Sequence, residues 1–186
     1  MATVYFFKIK TAEKKVQKQQ CSLTATKTVK AIASKMLGVS REKLSILNGK
    51  NGKPYFAQYP KLHFNVSHSE NGIAIAFSSN PIGIDIEKIR EINLKTAERF
   101  FTKKETDYIY GSPLNSHRRF LEIWTKKEAF IKQKGLTLRD IKLAETNGIY
   151  TFEKDGFIIS VCSEDKEKPN IIFLSKETLG EMAENS

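Results

Sequence analysis

The sequence of 186 residues contains only two cysteines, Cys21 and Cys162, which lie far apart in the chain. Their number and spacing match neither a disulfide framework nor a cysteine metal site, so we expect two free thiols in a reducing compartment. No stretch approaches the roughly 18 consecutive apolar residues of a membrane-spanning helix. Residues 1–8 also lack the basic segment and small-residue cleavage site of a signal peptide. These absences predict a cytoplasmic protein without membrane contact.

Arginine-rich tracts and zinc-finger spacings are also missing, although the chain carries a formal net charge of +10. A basic protein is suited to nucleic acid, an anionic surface, a polyphosphate ligand or an acidic protein. Because the lysines are dispersed and no nucleic-acid-binding motif accompanies them, we expect no nucleic acid as a partner. The length predicts one large domain or two small ones.

Residues 82–87 alternate isoleucine with glycine or a carboxylate, which predicts a β-strand. Its isoleucines face one side, while Asp85 and Glu87 lie close together on the other. Like charges this close repel unless a cation lies between them, and Mg2+ takes oxygen ligands of this kind. We expect Gly83 to leave open space beside the pair. The alternative is an amphipathic strand with an acidic face toward solvent.

Residues 62–68 predict a second alternating strand, which presents its apolar side chains to a core. Asn71-Gly72 then predicts a hairpin, and residues 73–77 predict a return strand that is buried on both faces. The following turn leads directly into the acidic strand. We therefore expect Ser67 and His68 to lie beside the two carboxylates.

A long helix is predicted over residues 116–133, with Gly135 ending it. At about 100° per residue, Glu128 and Lys127 fall within the apolar arc of this helix, and Lys132 falls at its edge. Charged side chains rarely face a core unless they are paired or bind a ligand. The alternative is an ordinary surface pair between Glu128 and Lys132, which are four residues apart.

The remaining patterns predict an α+β chain of two halves, each with a sheet and a helix. We expect a strand at residues 3–9, a helix from residues 22–24 to Gly38, a capping box at residues 102–105, strands of one antiparallel sheet at residues 140–144, 149–153, 156–162 and 170–174, and a frayed tail from residue 175. The predicted boundary separates an N-terminal subdomain of residues 1–81 from a C-terminal subdomain of residues 82–186.

Five short motifs stand in a distinctive order along the chain. They are Gly52-Lys53-Pro54, Phe64-Asn65-Val66-Ser67-His68-Ser69, Gly83-Ile84-Asp85-Ile86-Glu87, Phe101-Thr102-x-x-Glu105 and Trp124-Thr125-Lys126-Lys127-Glu128-Ala129-Phe130-Ile131-Lys132. In these motifs the chain resembles the 4′-phosphopantetheinyl transferases of the surfactin-synthetase-activating (Sfp) type. The resemblance implies a pseudo-twofold pair of similar α+β subdomains, each a small antiparallel sheet with a packed helix, and an active site in the cleft between them.

The same resemblance implies the reaction. A Mg2+-dependent transferase of this family moves the 4′-phosphopantetheine group of coenzyme A to a serine of an acyl or peptidyl carrier protein. Because two halves within one chain complete the cleft, we expect a monomer. Two alternatives remain: another Mg2+-dependent nucleotide-diphosphate transferase, and a non-catalytic module that binds a carrier protein or nucleic acid. Three converging carboxylates favour an enzyme, since a pure binding module has no use for them.

The resemblance also implies a role for each candidate residue. The expected metal ligands are Asp85, Glu87 and Glu128, and the expected catalytic residues are Glu128 as the base, His68 and Lys132. A water molecule is the rival base. The expected contacts with coenzyme A are Lys53, Pro54, Ser67, His68, Lys127 and Lys132, with Lys53 and Ser67 at its 3′-phosphate and adenosine end. The N-terminal region is shorter than in this family, and Lys27 and Lys30 are its candidate phosphate contacts.

Overall fold

Two β-sheets lie face to face between two long helices in the computed structural model, which describes residues 1–10, 14–165 and 167–184. The elements, in chain order, are β1 (Thr3–Lys8), α1 (Lys14–Leu37), β2 (Ile46–Asn48), β3 (Pro54–Phe56), β4 (His63–Ser69), β5 (Gly72–Ser78), β6 (Ile82–Lys88), α2 (Ala97–Phe100), α3 (Lys103–Tyr110), α4 (Ser116–Lys134), β7 (Tyr150–Lys154), β8 (Phe157–Ser163), β9 (Asn170–Phe173) and α5 (Lys176–Glu184).

The first sheet has the strand order β4-β5-β1-β9, and the second has the order β6-β8-β7. One face of the first sheet packs on α1, and its other face meets the second sheet across a core that includes Phe6, Ala74, Ile84 and Ile159. Helix α4 covers the far side of the second sheet. The isoleucines of β6 thus point into the core between the sheets, and its carboxylates point the other way.

Helix α4 approaches β6 closely because position 83 has no side chain. A Cβ atom added to Gly83 would overlap the carbonyl oxygen of Ala129 and the backbone nitrogen of Gln133. The expectation that Gly83 leaves open space beside the carboxylates is therefore wrong. The backbone of α4 occupies the space above Gly83, which places the side chains of that helix directly above β6.

Local patterns predicted most of these elements. The structure confirms the fold class as α+β, the strands β1, β4, β5 and β6, and the helix α4 with its end at Gly135, whose φ is +65°. The capping box between Thr102 and Glu105 is present with both of its arms. Cys21 and Cys162 are free, as expected, and both are buried. Among the described residues, no helix is long and apolar enough to cross a membrane.

The predicted start of α1 is wrong. The sequence predicts that residues 22–24 cap this helix, but α1 spans Lys14–Leu37. Thr26 and Thr28 instead donate their hydroxyl groups to the carbonyl oxygens of Ser22 and Thr24, four residues earlier. The hydroxyl groups of these threonines thus find acceptors within the helix, so the threonines do not interrupt it.

Three predictions at the C-terminal end are also wrong. The segment expected as a strand at residues 140–144 forms a 3-10 helix, Leu138–Leu143, which a capping box between Thr137 and Asp140 begins. Strand β9 joins the first sheet, parallel to β1, rather than the second. The tail forms α5, because Leu179 and Met182 pack against the first core. The division at residues 81 and 82 stays a prediction, although the chain after β8 returns to the first layer.

Substitution of Gly83 tests the close approach of α4 to β6. We expect Gly83→Ala to lower the free energy of unfolding by about 3 kcal/mol, because backbone atoms rather than flexible side chains occupy the space of the new methyl group. Urea denaturation measures this change. Gly180→Ala is the matched control, since no described atom outside the backbone of its own helix lies within 4 Å of its added Cβ. We expect it to be neutral or stabilising by up to about 1 kcal/mol. Equal effects of the two substitutions would contradict the packing argument.

Candidate functional site

The candidate site lies at the seam where β4, the edge strand of the first sheet, runs beside β6, the edge strand of the second. Side chains of β4 accept hydrogen bonds from backbone groups of β6. Asn65 Oδ1 accepts from the Ile84 N–H at 2.9 Å, and Ser69 Oγ accepts from the Lys88 N–H at 3.1 Å. The polar residues of the alternating motif therefore face the second sheet and not solvent.

Asp85 is the centre of this seam and is only 5% exposed. Its Oδ1 atom accepts hydrogen bonds from Ser67 Oγ at 2.8 Å and from Lys132 Nζ at 2.6 Å, and Lys132 also donates to Ser67 Oγ at 3.0 Å. Asp85 Oδ2 is buried and has no hydrogen-bond partner among the described residues. One oxygen of the carboxylate thus joins β4, β6 and α4, while the other has unmet acceptor capacity.

Glu87 and Glu128 extend the acidic cluster. Glu87 Oε2 accepts a hydrogen bond from Ser69 Oγ at 2.8 Å, and burial, reinforced by the charge of Asp85, raises the pKa of Glu87. Burial, followed by the charge of Asp85, raises the pKa of Glu128 to about 7, although Lys132 opposes this shift. Each carboxylate therefore feels the charge of its neighbours in a poorly solvated place.

The residues present fit a divalent cation with hard oxygen ligands. The charges of Asp85 and Glu87 act on Glu128, and a buried oxygen of Asp85 lacks a partner among the described residues. Lys132 compensates part of this negative charge, as Arg90 does for Glu87. Among the described residues, no three acidic, histidine or cysteine side chains are arranged so that they could already hold a metal ion together. Glu87 and Asp85 each give one oxygen to serine or lysine donors, so cation binding there requires side-chain rearrangement.

A cleft of roughly 490 Å³ lies beside the C-terminal turn of α4. Lys53 and Pro54 of the Gly-Lys-Pro motif line it, as do aromatic and apolar side chains, three of which are Tyr55, Leu62 and Phe64. Lys53 Nζ donates to the carbonyl oxygen of Gln133, and burial lowers the pKa of Lys53. The cleft thus combines apolar walls with cationic groups.

Two residues with predicted coenzyme A contacts have partners within the protein. Ser67 is buried between Asp85 and Lys132, beside the carboxylates as its strand pattern predicts, and it does not line the cleft of Lys53. Its contact with coenzyme A stays a prediction. Lys127 is fully buried and forms an ion pair with Glu105 at 3.1 Å. It does not join the acidic cluster, because its side chain points to the opposite flank of α4.

His68 is partly buried, and burial lowers its pKa, with smaller contributions from Lys132 and Lys18. Lys18 belongs to α1, and the sequence reasoning missed it because α1 was expected to begin after it. The available signal was compositional: α1 contains six lysines and no acidic residue. The structure thus brings a cationic helix to the side of β4 that carries His68.

Comparison with known proteins identifies a family for the segment that carries the acidic seam. The model of the 4′-phosphopantetheinyl transferase superfamily matches residues 81–182, which include β6 and α4. This match defines the class of the protein as a group-transfer enzyme.

Curated relatives extend the match beyond that segment. The chain is 34% identical to the 4′-phosphopantetheinyl transferase ffp of Bacillus subtilis, over 81% of this chain and 77% of the relative. Identity and coverage are the same for 4′-phosphopantetheinyl transferase Sfp of Bacillus subtilis strain 168. Similarity to 4′-phosphopantetheinyl transferase AcpT of Escherichia coli K12 is 40% identity over 48% of each chain. The chain belongs to the 4′-phosphopantetheinyl transferase superfamily and is of the Sfp type, which confirms the resemblance found in its motifs.

Ser69 tests whether the seam orients the carboxylates. We expect Ser69→Ala to lower transferase activity by about tenfold, because Glu87 loses a hydrogen bond and the Lys88 N–H loses its acceptor. Steady-state kinetics and thermal unfolding of the same preparation measure activity and folding separately. Thr26→Ala is the control, since its exposed hydroxyl donates to the carbonyl oxygen of Ser22 within α1. Full activity of Ser69→Ala would show that Glu87 needs no such support.

Proposed function

We propose that this enzyme transfers the 4′-phosphopantetheine group of coenzyme A to a serine hydroxyl of an acyl or peptidyl carrier protein. The observation that carries the proposal is the convergence of Asp85, Glu87, Glu128 and Lys132 at the seam, in a member of this superfamily. The neighbouring cleft supports it as well, because apolar walls and lysines suit a nucleotide that carries phosphates. Gln133 of the cleft directly follows Lys132, so the two regions adjoin along α4.

In the proposed step, the serine oxygen forms a bond to the phosphorus that bears the pantetheine arm. The bond from that phosphorus to the bridging oxygen breaks, and its electron pair leaves with adenosine 3′,5′-bisphosphate. Glu128 accepts the serine proton. Lys132 and His68 contact the pyrophosphate, where Lys132 places a positive charge against the developing negative charge of the leaving group.

Asp85, Glu87 and Glu128 would hold Mg2+. When bound, Mg2+ supplies positive charge to the diphosphate. The unpartnered Oδ2 atom of Asp85 supports this assignment. Lys53 and Pro54 are proposed to contact the adenosine end of coenzyme A from the cleft that they line. Lys18 joins Lys27 and Lys30 as a candidate contact with the 3′-phosphate.

Intact mass measurement tests the function. Incubation with an apo carrier protein, coenzyme A and Mg2+ should add one phosphopantetheine group to the carrier, and a chelator should abolish the addition. A carrier whose acceptor serine is replaced by alanine is the control. Unchanged masses across several acyl and peptidyl carriers, with folded enzyme, would refute the proposal. Transfer that persists in the chelator would refute only the metal requirement.

Glu128→Gln tests the base. Glutamine keeps the size and one carbonyl oxygen of the side chain, but it cannot accept the serine proton. We expect coenzyme A to bind within roughly tenfold of wild type, whereas turnover falls by at least about 10². Calorimetry and single-turnover kinetics separate the two effects. Near-normal turnover would assign the base to water, and a loss of binding would leave Glu128 only its role as a metal ligand.

We also propose that the enzyme works as a monomer in the cytoplasm. The acidic seam and the adjoining cleft are both built from one chain, so no second subunit is required to complete them. Light scattering should give the mass of a single chain. A stable trimer would contradict this expectation.

A further inference from the structure

Lys127 occupies an unusual place for a lysine, because its side chain is 0% exposed in the middle of α4. Its Nζ atom lies 3.1 Å from Glu105 Oε1 and donates hydrogen bonds to the carbonyl oxygens of Ile141 at 3.0 Å and Ala144 at 3.4 Å. Two of the three N–H donors of the lysine ammonium thus have carbonyl acceptors, and the carboxylate of Glu105 balances its charge. The buried charge is compensated by groups of the protein itself.

Glu105 serves two purposes in this arrangement. Its Oε2 atom accepts hydrogen bonds from the Thr102 N–H at 2.7 Å and the Thr102 hydroxyl at 3.0 Å, which completes the capping box of α3. Its other oxygen pairs with Lys127. The ion pair therefore joins α4 to the first turn of α3, and the carbonyl contacts join α4 to the end of the segment Leu138–Leu143.

This anchor acts on the opposite flank of α4 from the contact with β6. At about 100° per residue, Ala129, which packs against Gly83, lies about 200° around the helix from Lys127. Glu128 lies at about 100° and Lys132 at about 140°, between the two contacts. The helix is held on two sides, and its candidate catalytic side chains project between them.

We propose that Lys127 is a positioning residue, which fixes the rotation of α4 about its axis and thereby the direction of Glu128. A side-chain tip about 6 Å from the helix axis moves by about 1 Å when the helix rotates by about 10°. A displacement of that size at a reacting group can lower the rate by about 10²-fold. The inference rests on the proposed function, because it concerns the placement of Glu128 for that reaction.

A role in stability alone does not require this pair. Replacing a buried ion pair with apolar groups of similar volume is often neutral or stabilising, whereas removing one partner leaves an uncompensated buried charge. The design must therefore separate loss of folding from loss of alignment. The double variant Lys127→Met/Glu105→Gln does so, because glutamine also completes a capping box and no charge is left unpaired.

The experiment compares Lys127→Met, Glu105→Gln and the double variant with wild type. The readouts are the unfolding midpoint, kcat, the KM for coenzyme A and amide hydrogen exchange in α4 of the free enzyme. Kinetics are measured well below the lowest midpoint, so that all molecules are folded. The control variant, Lys103→Met/Asp107→Asn, removes an exposed ion pair of α3, whose side chains are 88% and 61% exposed.

We expect the double variant to unfold near the wild-type temperature and to lose at least about tenfold in kcat, with KM for coenzyme A within about threefold of wild type. Amide exchange in α4 should be faster, and the control should match wild type in every readout. A folded double variant with wild-type kcat would overturn the proposal and leave Lys127 a role in stability. A change in KM alone would also overturn it, since it would place Lys127 at the coenzyme A site.

If the double variant does not fold, Glu105→Gln alone provides the test. It retains Lys127 and its two carbonyl contacts, but the NH2 group of the glutamine faces the Lys127 ammonium when the amide oxygen completes the capping box, so the buried charge loses its partner. Its kinetics are therefore measured at a temperature at which the variant is folded. We expect a decrease of about threefold in kcat with unchanged KM, and wild-type kcat would contradict the inference. These results are distinct from failure of the proposed function, because in that case wild type itself transfers no phosphopantetheine group.

Discussion

The contact between the backbone of β6 at Gly83 and the backbone of α4 is the constraint on which the site depends. Helix and strand approach so closely that no side chain fits between them. Lys132 Nζ can therefore lie 2.6 Å from Asp85 Oδ1. Glu128, one turn earlier, lies close enough for the charges of Asp85 and Glu87 to act on it. A larger residue at position 83 would separate the helix from the strand and with it the lysine from the carboxylate.

This close approach has an electrostatic consequence. Asp85, Glu87 and Glu128 are all poorly solvated, and Lys132 compensates only part of their charge, so the pKa of Glu128 is raised to about 7. Folding thus assembles a group of carboxylates whose repulsion is incompletely neutralised by the protein. A divalent cation would relieve this repulsion, so the arrangement fits a phosphoryl-transfer site better than a purely structural cluster.

Side-chain hydrogen bonds across the seam hold these carboxylates in place, although β4 and β6 belong to different sheets. Side chains of Asn65 and Ser69 satisfy backbone N–H groups of β6, and Ser67 and Ser69 donate to its two carboxylates. The same strand therefore supports β6 and orients its acidic groups. The polar residues that alternate along β4 thus support β6. Their pattern alone indicates only that they face away from a core.

The amino-acid sequence by itself determined the parts that depend on neighbours in the chain. Alternation predicted β6, a reciprocal pair of residues three apart predicted the start of α3, and Gly135 in the left-handed region ended α4 as expected. The motifs carried the family resemblance, and the charges on the apolar arc of α4 indicated that Glu128 and Lys127 face the interior. All of these signals act over a few residues, so they can be read without the fold.

Only the tertiary structure decided the contacts between residues distant in the chain. It separated Lys127 from Glu128, since the partners of Lys127 are Glu105 and carbonyl groups of the segment after α4. It joined Ser67 and Lys132 to the same oxygen of Asp85, directed β9 to the first sheet, and ordered α5 through packing against the first core. The physical reason is that burial and partner choice are set by three-dimensional neighbours, which local propensity and spacing do not contain.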